Sequence, residues 1–159
     1  MPYRLVTAST QNVYTKKGYK LMATQLQALA KRIPPAWIQT KGSFNARYVS
    51  HANITQMILA TLGPTSQRVE QIIYNGDTIT GVLLTMTFNI DDVTVEITEC
   101  GDCERPDPDN NARNLQTAIS GAYKRCAMRV GKALQLWCDE DEQYILDRVL
   151  NEREGKDIV

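Results

Sequence analysis

The stretch VLLTMTFNIDDVTVEIT, residues 82–98, indicates the fold of this chain. In its first half every second residue is apolar, which predicts a β-strand with Val82, Leu84, Met86, Phe88 and Ile90 on one face. Asp91-Asp92 predicts a tight turn, and the alternating run 93–98 predicts an antiparallel partner strand. One face of this hairpin is apolar, so we expect another element to cover it.

The segments on either side of this hairpin predict a third strand and a covering helix. Residues 69–74 form the strand, and Asn75-Gly76 predicts the turn after it, because both central turn positions favour positive φ. After an acidic loop at 101–110, a helix is predicted over 111–137. Its apolar stripe follows helical spacing and is the natural cover for the sheet; it consists of Leu115, Ala118, Ile119, Ala122, Cys126, Val130, Ala133 and Trp137.

The remaining segments predict helices at both ends of this core. A helix over 21–33 ends at Pro34-Pro35, and a loop follows at 39–47. Ser50 or Asn53 caps a second helix, which Gly63-Pro64 closes. We therefore predict an α+β fold with an antiparallel three-stranded β-β-β-α core, N-terminal helices and a C-terminal charged helix. The 159 residues fit a single domain, with an arm at 1–20, a core at 21–137 and an acidic helix at 138–159.

Charge is segregated along the chain, although 18 basic and 18 acidic residues cancel overall. Nine basic residues precede the first acid, Glu70, and residues 110–138 hold five bases and no acid. Acids dominate residues 70–109 and 139–159. Because charges are screened over about 8–10 Å at physiological salt, a basic block can bind phosphates in a neutral protein. The alternative is that the charged residues form two solvated faces and that their clustering along the sequence has no functional meaning.

Several familiar reaction sites are absent or weak in the sequence. No phosphate-cradling glycine loop occurs, so any work on DNA is expected without ATP. Cys100-x-x-Cys103 ends a strand among acidic residues, which argues against a redox thiol, and it lacks the second pair of a zinc site. The lone His51 has no nucleophile tied to it by a motif. The acidic loop could hold magnesium for a nuclease through Asp102, Glu104, Asp107 and Asp109, although such loops are more often solvated.

The long helix carries the basic block. Arg125, Arg129 and Lys132 are spaced by four and three, which predicts that they line one flank of the apolar stripe. Lys124 points away from the stripe. A helix with one buried side and a cationic edge is expected to track phosphates while leaving bases exposed.

Three stretches resemble the Rad-fifty-two superfamily of single-strand annealing proteins, especially its short phage members. The first runs from Leu29 to Gly63 and includes IPPAWIQTKGSF (33–44) and ARYVSHANITQMILATLGP (46–64), with a proline-bounded loop and a Tyr-Val-x-His helix start. The second is the β-β-β meander, and the third is CGDCE (100–104) followed by NARNLQTAISGAYKRCAMRVG (111–131). The part AYKRCAMRVGKALQLW (122–137) is the most specific, and the likeness spans about residues 21–137.

The resemblance implies a ring of identical subunits that binds single-stranded DNA in a basic groove and anneals it to a complement without ATP. Lys124 and Arg125 match the basic pair of the helix that lines the groove. Tyr48 matches an aromatic residue near its edge, and Lys41 or Arg47 stands in for a basic residue of the preceding loop. The family often has a further arginine, near Met128 and Arg129 here.

The predicted function is therefore DNA binding and annealing in phage homologous recombination and repair, with no catalysis and no cofactor. The predicted DNA-binding residues are Lys41, Arg47, Tyr48, Lys124, Arg125, Arg129 and Lys132. A phage exonuclease or a host single-strand binding protein is a candidate partner. With neither an export signal nor an apolar run of about 18 residues, the bacterial cytoplasm is expected and a membrane is not. A passive single-strand or DNA-end binder and a metal-dependent nuclease are the alternatives.

Overall fold

The computed structural model describes residues 24–42 and 46–136. In chain order the elements are α1 (Gln25–Ala30), β1 (Gln39–Lys41), β2 (Ala46–Tyr48), α2 (His51–Leu62), β3 (Ser66–Asn75), β4 (Thr78–Ile90), β5 (Val93–Asp102) and α3 (Asn111–Arg129). Short 3₁₀ turns lie at Pro35–Trp37 and Leu134–Leu136. The predicted N-terminal arm, the predicted C-terminal charged helix and Trp137 lie outside the described residues.

The three-stranded sheet confirms the predicted α+β core. Its strands run antiparallel in the order β3-β4-β5. The predicted apolar face of β4 is buried, and Leu84 and Phe88 are fully inaccessible to solvent. At the second turn Asp91 and Asp92 both have positive φ, 49° and 66°, as the tight turn requires.

The first hairpin turn lies one residue later than predicted. Asn75 pairs with Thr78, so the two central residues are Gly76 and Asp77 rather than Asn75 and Gly76. Only Gly76 has positive φ, 61°, which is typical of a turn with glycine at its first central position. The side chain of Asn111, at the start of α3, fastens this turn by donating to the carbonyl of Asp77 at 2.8 Å.

Helix α3 covers the apolar face of the sheet, as its stripe predicts. Ala118, Ala122 and Cys126 are fully buried against β4 and β5. The closest approach is at Gly101 of β5, where a Cβ would lie 1.9 Å from the carbonyl oxygen of Ala118. Because the backbones of strand and helix meet there, only glycine fits.

The prediction that the long helix continues to residue 137 is wrong. α3 ends at Arg129, and the backbone N–H groups of Gly131 and Lys132 donate to the carbonyls of Met128 and Ala127 at 2.9 Å each. With Gly131 at a φ of 94°, this is a Schellman cap. The apolar spacing continues past the cap because the chain still packs on the core.

Helix α1 is shorter than predicted. It begins after Thr24, whose side chain forms a capping box with Gln27, and it ends at Ala30 rather than Ile33. Residues 21–23 are outside the described range. The backbone of Ile33 instead pairs with the side-chain amide of Gln135, which accepts from its N–H at 2.8 Å and donates to its carbonyl at 3.2 Å. The side chain of Gln135, 102 positions away, therefore satisfies the backbone groups of Ile33 that another helical turn would have satisfied.

The segment predicted as a loop at 39–47 contains a hairpin, because β1 and β2 pair antiparallel. Helix α2 follows with Ser50 as its N-cap and Gly63 as its C-cap, as predicted. Its expected apolar side is buried at Ile54 and Ile58, whereas Leu59 stays 49 % exposed. No helix in the part of the chain that the structure describes is long and apolar enough to cross a bilayer.

Candidate nucleic-acid interface

The basic residues of the long helix do not form the single cationic edge that their spacing predicts. Arg125 donates to the carbonyl oxygen of Cys100 at 3.1 Å and lies 3.2 Å from a carboxylate oxygen of Asp102. Arg129 forms an ion pair with Glu99. Arg125 and Arg129 are therefore turned onto the β5 edge of the sheet, and acidic residues of that strand neutralise them.

Lys132 does not lie on this flank either, because α3 has already ended. Its side chain is buried, with the whole residue 5 % exposed, and its ammonium donates to the carbonyl of Lys31 at 3.3 Å. Burial lowers the pKa of Lys132, and the nearby charge of Lys31 lowers it further. Lys132 therefore packs between α1 and the last residues that the structure describes.

Lys124 occupies the other flank of α3. It is half-buried and makes no ion pair with any residue that the structure describes. Burial lowers the pKa of its ammonium below the ordinary value of 10.5, and the neighbouring charge of Lys41 acts in the same direction. An ammonium held beside another cation, with no counter-ion among the described residues, is poised to take an anion.

The three predicted site residues of the β1–β2 hairpin lie on two different faces of it. Gln39 lies opposite Tyr48 and Lys41 opposite Ala46, while Arg47 pairs with Thr40. Because side chains alternate between faces, Lys41 and Tyr48 share one face and Arg47 lies on the other. Arg47 reaches the carbonyl of Gln135 at 3.5 Å. Of the predicted residues, Lys41, Tyr48 and Lys124 therefore belong together, and Arg47 belongs with Gln135.

His51 joins Lys124 from helix α2. It is the first helical residue after the Ser50 cap, and its ring lies 4.5 Å, centroid to centroid, from the ring of Tyr123. Burial lowers the pKa of His51 below its ordinary value of 6.5, and the charge of Lys124 lowers it further. At neutral pH the imidazole is consequently uncharged, and an arriving anion would favour its protonation.

A pocket of about 340 Å³ opens beside this ring pair, between α2, the start of β3 and α3. Its polar lining comes from His51, Thr55, Thr65, Gln67 and Tyr123, and Leu59 and Pro64 supply the apolar part. Tyr123 is 6 % exposed, yet its hydroxyl makes no hydrogen bond to the part of the chain that the structure describes. The hydroxyl of a buried pocket residue that has no partner among the described residues is available to a ligand.

The acidic loop and the cysteines do not assemble into a metal-binding group within residues 24–42 and 46–136. Asp102 is engaged by Arg125, and Asp107 accepts from the backbone of Asp109 at 3.0 Å. Cys100 and Cys103 are free thiols, and the thiol of Cys103 lies 3.7 Å from the side-chain oxygen of Asn114.

Sequence reasoning missed His51 and Tyr123 as members of the site. No motif ties His51 to a reaction, and Tyr123 falls beside the apolar stripe. The Tyr-Val-x-His start of α2 and the Tyr-Lys pair of α3 were the available signals, since each places a ring next to a predicted site residue.

No protein-family model and no curated protein matches this chain. The resemblance of residues 33–64 and 111–137 to the annealing proteins therefore stays a prediction.

Proposed function

We propose that this protein binds single-stranded DNA and anneals complementary strands without ATP, as a ring of identical subunits that acts in phage recombination and repair. The observation that carries the proposal is the convergence of Lys41, His51 and Lys124. These residues come from a hairpin and two helices, up to 83 positions apart, and none forms an ion pair with a carboxylate in the described residues. A cluster of this kind is unfavourable until an anion arrives.

Lys41 and Lys124 suit a phosphate backbone better than a single small anion. Two ammonium groups on separate elements can contact successive phosphates of one strand, and each contact releases condensed counterions. Tyr48, on the same hairpin face as Lys41, offers an aromatic surface beside them. Affinity is therefore expected to fall steeply as salt concentration rises.

Annealing requires bases that stay accessible to a complementary strand. A strand held mainly through its phosphates meets this requirement, because its Watson–Crick edges remain free. A ring would join such sites into one continuous track, with heterologous contacts between neighbouring subunits. The basic part before Glu70 and the acidic strands after it supply charge of opposite sign for these contacts.

An annealing assay tests the function directly. Two complementary oligonucleotides, labelled as a fluorescence donor and acceptor, are mixed at low salt with and without the protein, in the absence of ATP and magnesium. We expect faster pairing with the protein and closed rings in electron micrographs. Binding without faster pairing would support a passive binder. Strand degradation that appears only with added magnesium, and is lost in Asp102→Ala, would support a nuclease.

A further inference from the structure

We infer that the pocket beside His51 and Tyr123 holds one nucleobase of the bound strand in each subunit. This inference rests on the proposed function and adds to it. Most bases would stay exposed for pairing, while one base per subunit would fix the position of the strand along the track. Lys124 and Lys41 would then contact the phosphates next to the inserted nucleotide.

The size and walls of the pocket suit a base. A volume of about 340 Å³ is at the lower end of the range for small-ligand sites, roughly 300–1,000 Å³. Leu59 and Pro64 provide apolar surface, and the rings of His51 and Tyr123 provide an aromatic wall. A nucleobase has matching apolar faces, and base–aromatic contacts are tolerant of sequence.

The polar groups of the pocket suit the edge of a base. Tyr123 is a buried residue, and its hydroxyl makes no hydrogen bond to any described residue. The side chains of Thr65 and Gln67 likewise make no hydrogen bond within residues 24–42 and 46–136. All three residues line the pocket, and their side chains can act as donors and acceptors. A phosphate placed inside the pocket would leave the apolar surface of Leu59 and Pro64 unused.

A matched pair of variants on one helix tests the inference. Thr55 lines the pocket and donates to the carbonyl of His51 at 2.9 Å, and Thr61 donates to the carbonyl of Met57 at 2.8 Å but lies outside the pocket. Thr55→Met fills the pocket with an aliphatic chain, and Thr61→Met makes the same replacement elsewhere on α2. Both are measured against a thymidine oligonucleotide and an abasic oligonucleotide of equal length.

We expect the wild type to bind the thymidine strand at least roughly fivefold more tightly than the abasic strand, given what a single base contact contributes. Thr55→Met should reduce this preference, whereas Thr61→Met, outside the pocket, should retain it and leave abasic binding unchanged. Equal binding of both strands by the wild type would overturn the pocket and leave the proposed function standing. No binding of either strand would overturn both.

Crosslinking gives a second measurement that needs no variant. A strand carrying 4-thiothymidine is irradiated with the wild-type protein, and the modified peptides are identified by mass spectrometry. Adducts at His51, Gln67 or Tyr123 are expected. Adducts found only on residues outside the pocket would overturn the inference.

Discussion

The two flanks of helix α3 carry the same kind of charge in different surroundings. On the β5 flank, Arg125 and Arg129 are paired with Asp102 and Glu99. On the α2 flank, the charge of Lys124 acts on His51 and the charge of Lys41 acts on Lys124. The cations of the first flank hold the sheet and helix together, whereas those of the second remain available. The comparison teaches that the neighbours of a basic residue, rather than its helical spacing, decide whether it is structural or available to a ligand.

The largest expected effect is on stability and comes from a substitution that separates β5 from α3. Gly101→Ala would place a Cβ 1.9 Å from the carbonyl oxygen of Ala118, so strand and helix would have to separate. We expect the free energy of unfolding to fall by about 3 kcal/mol or more, measured by urea denaturation. Gly121→Ala is the control, because its Cβ would lie 3.8 Å from Gly101 and alanine favours the helix. Equal denaturation midpoints for the two variants would contradict the close approach.

The next prediction compares one cation from each flank. Lys124→Met should weaken binding of a single-stranded oligonucleotide roughly tenfold at low salt and reduce the salt slope by about 1. Its melting temperature should not fall, since burial already disfavours the charged ammonium, as the lowered pKa of Lys124 shows. Affinity is measured by fluorescence anisotropy and melting by calorimetry.

Arg129→Met is the matched variant on the other flank. It should change affinity by less than about threefold but reduce stability by roughly 1 kcal/mol, because the mostly buried Glu99 loses its partner. If Arg129→Met weakens DNA binding as strongly as Lys124→Met, the division of the helix into two flanks is wrong.

A smaller effect, in pH dependence, sharpens the description of the α2 flank. The pKa of His51 is lowered in the free protein, and a bound phosphate would raise it. Affinity should therefore rise a few-fold as pH falls from 8 to 6, and His51→Gln should flatten this dependence. Without DNA, a falling pH has the opposite effect, because it lowers the stability of the fold. The unfolded chain takes up the proton first, so the stability contributed by neutral His51 is lost as pH falls through 6.5. A pH profile unchanged in His51→Gln would remove this residue from the interface.

The smallest expected effect is a difference in thiol reactivity between Cys126 on α3 and Cys100 on β5. Burial and the charge of Glu99 raise the pKa of the Cys126 thiol to about 11, so almost no thiolate is present at pH 8. Cys100 is exposed at the strand edge. Iodoacetamide should label Cys100 in the native protein and leave Cys126 unlabelled until the chain is denatured, as peptide mass spectrometry would show. Labelling of both at equal rates would contradict the buried position of Cys126.

Local patterns predict most of the β-β-β-α core. The alternation from Val82 to Ile90 identifies a half-buried strand, and Asp91-Asp92 identifies a turn, because both signals depend on residues adjacent in sequence. The end of α3 was also readable in principle, since Gly131 is the residue type that a Schellman cap prefers. The apolar spacing that continues to Ala133 obscured it, because Ala133 is buried without being helical.

The candidate site was less predictable, because it depends on contacts between distant segments. Spacing alone placed Arg125, Arg129 and Lys132 on one edge, but side-chain contacts with β5 and with Lys31 distribute them differently. Lys124 was identified, whereas its partners His51 and Tyr123 were not. No periodicity along one helix can indicate which charges a neighbouring strand will neutralise.

The amino-acid sequence by itself determined the elements of this protein: an alternating β-meander, an amphipathic helix to cover it, and a segregation of basic and acidic residues along the chain. These follow from side-chain periodicity and turn chemistry, which act over a few residues. Only the tertiary structure decided that Arg125 and Arg129 would be paired and that Lys124 would lie near enough to Lys41 and His51 for their charges to interact. Electrostatic pairing and desolvation depend on distance in space, and that distance is set when α3 packs against the sheet and α2.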